Sequence, residues 1–138
     1  MDNINLDIMD NINLDIMYEA LVELNLYSKF KIVKADVNKL QVHSGETMPD
    51  LTIIQNKYDE KKSTIYTTYA FKYLRTQRDL LLDNTDKYSA IDYPHATEEI
   101  KQSWLDYRQT LRNLPSNSSP QLDENGELNN VTWPTPPS

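Results

Sequence analysis

The chain has no cysteine, two histidines and two glycines among its 138 residues, and each shortage removes a class of chemistry. Without cysteine there are no disulfides, thiolate metal sites or cysteine nucleophiles. His43 and His95 leave little imidazole for zinc binding or acid–base work, and neither has a companion ligand or nucleophile at a recognisable spacing. Two glycines are too few for a phosphate-cradling loop or a dinucleotide fingerprint. Basic side chains are also scarce: 14 Lys and Arg stand against 21 Asp and Glu, a net charge of -7. Nucleic-acid affinity depends largely on Lys and Arg releasing counterions, so no nucleic-acid partner is expected. No apolar run approaches the roughly 20 residues that cross a bilayer, and the N-terminus carries Asp and Asn where a secretory signal is basic. The chain is therefore expected to stay in the compartment where it is made, with no membrane partner.

Two oxygen-rich segments invite a calcium reading, Asp2, Asn3, Asn5 and Asp7, and Asp123 with Asn125 and Gly126. Neither supplies the ordered ligands and terminal Glu of a calcium loop. Glu98 and Glu99 read as the solvated first turn of a helix rather than opposed catalytic carboxylates. No catalytic residue, metal site or cofactor is expected, and the chain is read as a binding protein rather than an enzyme.

What is present is 38% hydrophobic and 25% charged residues, enough for a modest core in a single domain of ordinary size. The start is a perfect tandem repeat, MDNINLDI at 1–8 and again at 9–16. Ile4, Leu6 and Ile8 alternate with polar residues as in a half-buried strand. Two readings stay open: a duplication without function, or an arm that adds a strand to a neighbouring sheet edge. YEALVELNL, 18–26, has helical spacing. FKIV, 30–33, and KLQVH, 39–43, are strand-like and read as a small hairpin. Pro49 and Asp50 suit a helix start before Leu51, Ile54 and Tyr58. STIYTTY, 63–69, favours strand by propensity, but Tyr66, Tyr69 and Tyr73 continue a helical period toward LRTQRDLLL. Thr97 caps a further helix that Pro115 stops, with the stripe Ile100, Trp104, Tyr107, Leu111 and Leu114. Beyond it Ser, Asn and Pro dominate, with a turn signal at Asn125-Gly126.

The expected fold is α+β and mainly helical: an antiparallel helical hairpin, a small N-terminal β-hairpin and extended, irregular terminal arms. The segments are a repeat arm at 1–17, a small α+β segment at 18–65, the helical hairpin at 66–115 and a Pro-rich arm at 116–138. Trp104, Tyr107 and Leu111 are the expected structural core. Arg108 and Arg112 either hold the hairpin, through Asp106, Asp79 or Asp83, or face a partner. Trp133 with Pro134 is an aromatic anchor on a stiff segment, which docks on another chain or folds back on its own hairpin. Ile4, Leu6 and Ile8 complete the candidate partner-binding residues.

The stretches LRTQRDLLLDNTDKY (74–88), SWLDYRQTLRNLP (103–115) and VTWPTPP (131–137) occur in an order that resembles the phage tail assembly chaperone family. The matching positions include Arg75, Arg78, Leu81, Leu82, Thr85, Asp86, Trp104, Tyr107, Arg108, Gln109, Leu111, Arg112, Pro115, Trp133 and Pro134. Lys87-Tyr88 departs from the family's usual Trp after Thr-Asp, and Asn113 stands where an acid is common. The resemblance covers about residues 70–137. It implies a non-enzymatic bacteriophage tail or tail-fibre structural or assembly protein, with tail, baseplate or fibre proteins as partners, or a homo-oligomer within the assembly. It places the protein in the host cytoplasm during assembly, and leaves open retention in the virion tail. The alternative reading is an acidic inhibitor that mimics DNA and blocks a host nucleic-acid-binding protein.

Overall fold

The computed structural model describes residues 3–138, with side chains from Ile8 onward. It is mainly helical, with three α-helices and two small antiparallel strand pairs. The chain divides into two compact units. One holds the residues up to Thr68 with Leu122–Glu127; the other holds Tyr69–Gln121 and Leu128–Ser138.

In the first unit the N-terminal repeat is helical, not an extended arm. Helix α1 runs Asn3–Glu23 and joins both copies to the YEALVEL segment. A helix satisfies its backbone groups internally, whereas an alternating strand needs a neighbour. Met9, Ile12, Ile16, Met17, Ala20 and Leu21 are buried along one face. At 3.6 residues per turn, an eight-residue unit rotates the second copy by about 80° relative to the first. The copies therefore cannot face the same core: Ile16 is 0% exposed and its counterpart Ile8 is 36% exposed. The helix ends where Asn25 takes a left-handed φ of 58°. Leu26 N–H donates to the Leu21 carbonyl at 2.8 Å and Asn25 N–H to that of Val22 at 3.0 Å, the paired bonds of a Schellman termination.

Strands β1 (Phe30–Lys31) and β2 (Gln41–Val42) pair antiparallel, with Phe30 opposite Val42. Their connection contains a 3-10 turn, Val37–Lys39, capped by the Asp36 carboxylate accepting from Asn38 N–H at 2.9 Å. Phe30, Val37 and Leu40 pack with Met17, Leu21 and Ile54 into one core.

Helix α2 is continuous over Leu51–Asn84, so the expected boundary near residue 65 falls inside a helix. The β-prone STIYTTY run stays helical because its hydroxyls bond back to the preceding turn, Thr67 to the Ser63 carbonyl at 2.9 Å and Thr68 to that of Thr64 at 3.0 Å. Ile54 is buried, and the Tyr66 hydroxyl donates to Asn13 Oδ1 at 3.1 Å, fastening α2 to α1. Burial pushes the Tyr58 phenol up to about 12. Lys61 and Lys57 both bond Glu23, holding its carboxyl below the usual value of 4.5. This surface contribution is present above that pH and is lost as acid protonates Glu23.

In the second unit, α3 spans Glu98–Asn113, with Thr97 Oγ1 accepting from Ile100 N–H at 3.1 Å. Strands β3 (Gln121–Leu122) and β4 (Leu128–Asn129) follow. The turn between them belongs to the first unit. Asp123 Oδ1 accepts from Asn125 and Glu127 N–H, and a Cβ on Gly126 would meet Met9 Sδ at 2.8 Å. Glycine is needed there for its φ of 79° and for that approach to α1.

Asn25 tests the termination of α1. Asn25→Gly is expected to leave stability unchanged or raise it, and Asn25→Val to lower it by about 1–2 kcal/mol, because a β-branched residue resists positive φ. Urea unfolding followed by circular dichroism reads both. Equal stability of the two variants would mean the left-handed cap is not formed.

Candidate functional site

The centre of the second unit is a cation. Arg108 lies on the α3 face that carries Tyr107 and Leu111, and is only 5% exposed. Its Nη1 donates to the Leu82 carbonyl at 2.6 Å and to Thr85 Oγ1 at 2.8 Å, and its Nη2 to Asp86 Oδ1 at 2.6 Å. The planar fork thus binds the end of α2 and the 3-10 turn Asp86–Ser89 that follows it. A positive group at a helix C-terminus also meets the negative end of the helix dipole. Thr85 Oγ1 in turn donates to the Leu81 carbonyl at 2.7 Å.

The turn held in this way carries an aromatic cluster. Tyr88 stacks on Trp104 of α3, with centroids 3.9 Å apart and planes 16° apart. Tyr93 meets Tyr88 edge-on at 5.0 Å, and Tyr107 meets Trp104 edge-on at 5.8 Å. His95 Nε2 lies 2.9 Å from the Tyr88 carbonyl, so the ring carries its proton there and donates. These contacts fix the loop 85–97, at whose tip Ile91 is 96% exposed. The terminal prolines Pro134 and Pro137 face Ile100, Tyr107 and Thr110 of α3 across a concavity of about 510 Å³.

The candidate residues are thus distributed unevenly. Tyr107 and Leu111 are buried, and Trp104 is half-buried and stacked rather than enclosed. Arg108 is occupied inside the chain, with Asp86 as its carboxylate in place of Asp79, Asp83 or Asp106. Arg112 is exposed in the last turn of α3, and Trp133 and Pro134 are half-buried. The side chains of Ile4 and Leu6 lie outside the described residues, and Ile8 is at the edge of the exposed face of α1. Among the described residues no three His, Asp or Glu side chains are grouped to hold a metal, and no helix is long and apolar enough to cross a membrane. Among the described residues Ile91 is the most exposed large apolar side chain, and its loop position has no periodicity to mark it.

Because Arg108 is buried and Asp86 is not, the two sides of their pair differ in consequence. Arg108→Ala is expected to cost about 3 kcal/mol and Arg108→Lys about 2 kcal/mol, since an ammonium cannot serve three acceptors in one plane. Asp86→Asn is expected to cost under about 1 kcal/mol. Denaturant melts of the three variants check this order; an Asp86→Asn loss equal to that of Arg108→Ala would contradict it.

Residues 71–138 match the sequence model of the phage tail assembly chaperone protein family. No curated protein and no solved structure matches the chain. The matched segment begins two residues into the second unit, runs to its end and includes the turn 122–127 of the first unit, so the W..YRQ.LR helix, the Arg108 clamp and the WP terminus fall within it together. Over residues 71–138, just under half of its length, the chain is similar to the phage tail assembly chaperone family.

Proposed function

We propose that the protein acts in phage tail assembly by binding other tail proteins and catalyses no reaction. The observation that carries this reading is that the family match, residues 71–138, takes in all of the second unit except Tyr69 and Ala70, together with the turn 122–127 that belongs to the first. The match thus spans nearly a whole compact unit rather than a scattered motif. Within it Arg108 and the aromatic cluster are engaged internally, which leaves the exposed Arg112 and the terminal segment with Trp133 and Pro134 as docking groups. Tail, baseplate or fibre proteins are the partners in this reading, met in the host cytoplasm, with the chain retained in the virion tail. Ile8 adds an apolar contact from α1. The DNA-mimic reading is less favoured, because Lys29, Lys31, Lys34 and Lys39 interrupt the acidic surface.

Co-expression with the tail proteins of the parent phage tests the proposal. Arg112→Glu combined with Trp133→Ala is expected to weaken co-purification about tenfold or more, with helical content unchanged by circular dichroism. Mass spectrometry of purified particles is expected to find the chain. Undiminished co-purification would remove Arg112 and Trp133 from the interface, and particles lacking the chain would make it a transient factor.

A further inference from the structure

The last eight residues differ from the rest of their unit in how they are held. Residues 131–138 form no helix or strand. Among the described residues, no hydrogen bond or ion pair reaches them; the last bond along the chain is from Asn130 Nδ2 to the Ser119 carbonyl, at 2.7 Å. The sequence accounts for part of this, since Pro134, Pro136 and Pro137 have no N–H to donate. Packing does not lock the segment either. Val131, Trp133, Pro134 and Pro137 are half-buried and none is fully buried. The concavity of about 510 Å³ that Pro134 and Pro137 line with Ile100, Tyr107 and Thr110 leaves these prolines loosely seated on α3. The two tryptophans show the contrast: Trp104 is stacked on Tyr88 and edge-on to Tyr107, whereas Trp133 meets no aromatic ring among the described residues.

The chain enters this segment through Asn130, whose φ is 61°. A left-handed backbone is costly for a residue with a side chain, and asparagine is among those that tolerate it best. The course of 131–138 toward α3 is therefore set at a single position, with no bond beyond it to hold the direction. Proline fixes φ at three of the eight residues that follow, so the segment keeps much of its shape when it leaves α3 and loses little order when it docks elsewhere. A terminus held by a few apolar contacts opens at lower cost than the unit on which it rests.

We propose that residues 131–138 are a strap, hinged at Asn130, that lifts off α3 and presents Trp133 and Pro134 to an apolar cleft of a tail-protein partner, so that the docking form is the open one. The closed strap keeps Trp133 half out of water until a partner takes it. The docking half of this proposal rests on the tail-assembly reading; the opening half concerns the purified chain alone.

Fluorine NMR of the full chain labelled with 5-fluorotryptophan reads the opening. Trp104 and Trp133 are its two tryptophans, and Trp133→Phe assigns their signals. A labelled peptide of residues 131–138 marks the open end of the scale. The closed end is marked by Ser103→Cys/Thr135→Cys joined with a short bis-maleimide; both positions line the concavity, and the chain has no other cysteine. The wild-type Trp133 signal is expected between the two marks, or split between them. Asn130→Val is expected to raise the ratio of open to closed about tenfold, because a β-branched residue resists the left-handed φ, with the Trp104 signal unmoved. A wild-type signal that coincides with either mark, or one that ignores Asn130→Val, would overturn the hinged strap. Capture of the parent phage's tail proteins reads the docking: the crosslinked chain is expected to bind about tenfold or more weakly than the same variant with its two thiols separately alkylated. Equal capture would overturn the claim that docking needs the open form. A wild-type chain that captures none would overturn the tail-assembly reading and the docking role with it, while the opening stands or falls on the fluorine signal.

Discussion

The second unit depends on one buried guanidinium. Arg108 comes from the middle of α3, yet all its acceptors lie on the end of α2 and the turn after it. Both Nη groups of this buried charge find acceptors there, while its Nε is buried with no hydrogen-bond partner, so the two Nη groups dictate where residues 82–86 sit. From there Tyr88 is placed on Trp104, and the Tyr88 carbonyl receives His95. The loop that carries Ile91 therefore owes its shape to an arginine more than a dozen residues farther along the chain.

The first unit uses different means. Its core is aliphatic, with Met17, Leu21, Phe30, Val37, Leu40 and Ile54 in contact, and its polar links lie at the edges, between Tyr66 and Asn13 and between Glu23 and the α2 lysines. The Asn-Gly turn at 125–126 lies against Met9 of α1, so a C-terminal hairpin tip belongs to a unit otherwise built from the N-terminal half. The second copy of the repeat buries Met9, Ile12 and Ile16, and rotation about the helix axis turns Ile8 of the first copy outward.

Much of this was legible in the sequence wherever periodicity or turn chemistry carries the information. The stripe from Ile100 to Leu114 with Thr97 as cap marks α3, Phe30 to His43 marks the hairpin, and Asn125-Gly126 marks the last turn. The repeat was misleading because Ile12, Leu14 and Ile16 fit period two as well as Met9, Ile12 and Ile16 fit a helix; only its fusion to YEALVEL decides. Arg108 was legible as a hairpin cation but not in its partners, because two of its three acceptors are a backbone carbonyl and a hydroxyl, which no charge pattern reveals. Trp104 is half-buried because Tyr88 covers one face of its ring, a contact set by the clamped turn. Ile91 lies in a loop without periodicity, so nothing local marks its exposure.

The dependence of the loop 85–97 on Arg108 is open to one direct measurement, amide hydrogen exchange of the full chain with and without Arg108→Lys. Native opening is local, and each segment reports its own protection. Peptides covering 85–95 are expected to lose protection strongly in the variant, while those of α1 and of residues 51–68 exchange as before. Unchanged protection at 85–95, or a uniform loss along the whole chain, would show that the loop is not held by the Arg108 clamp.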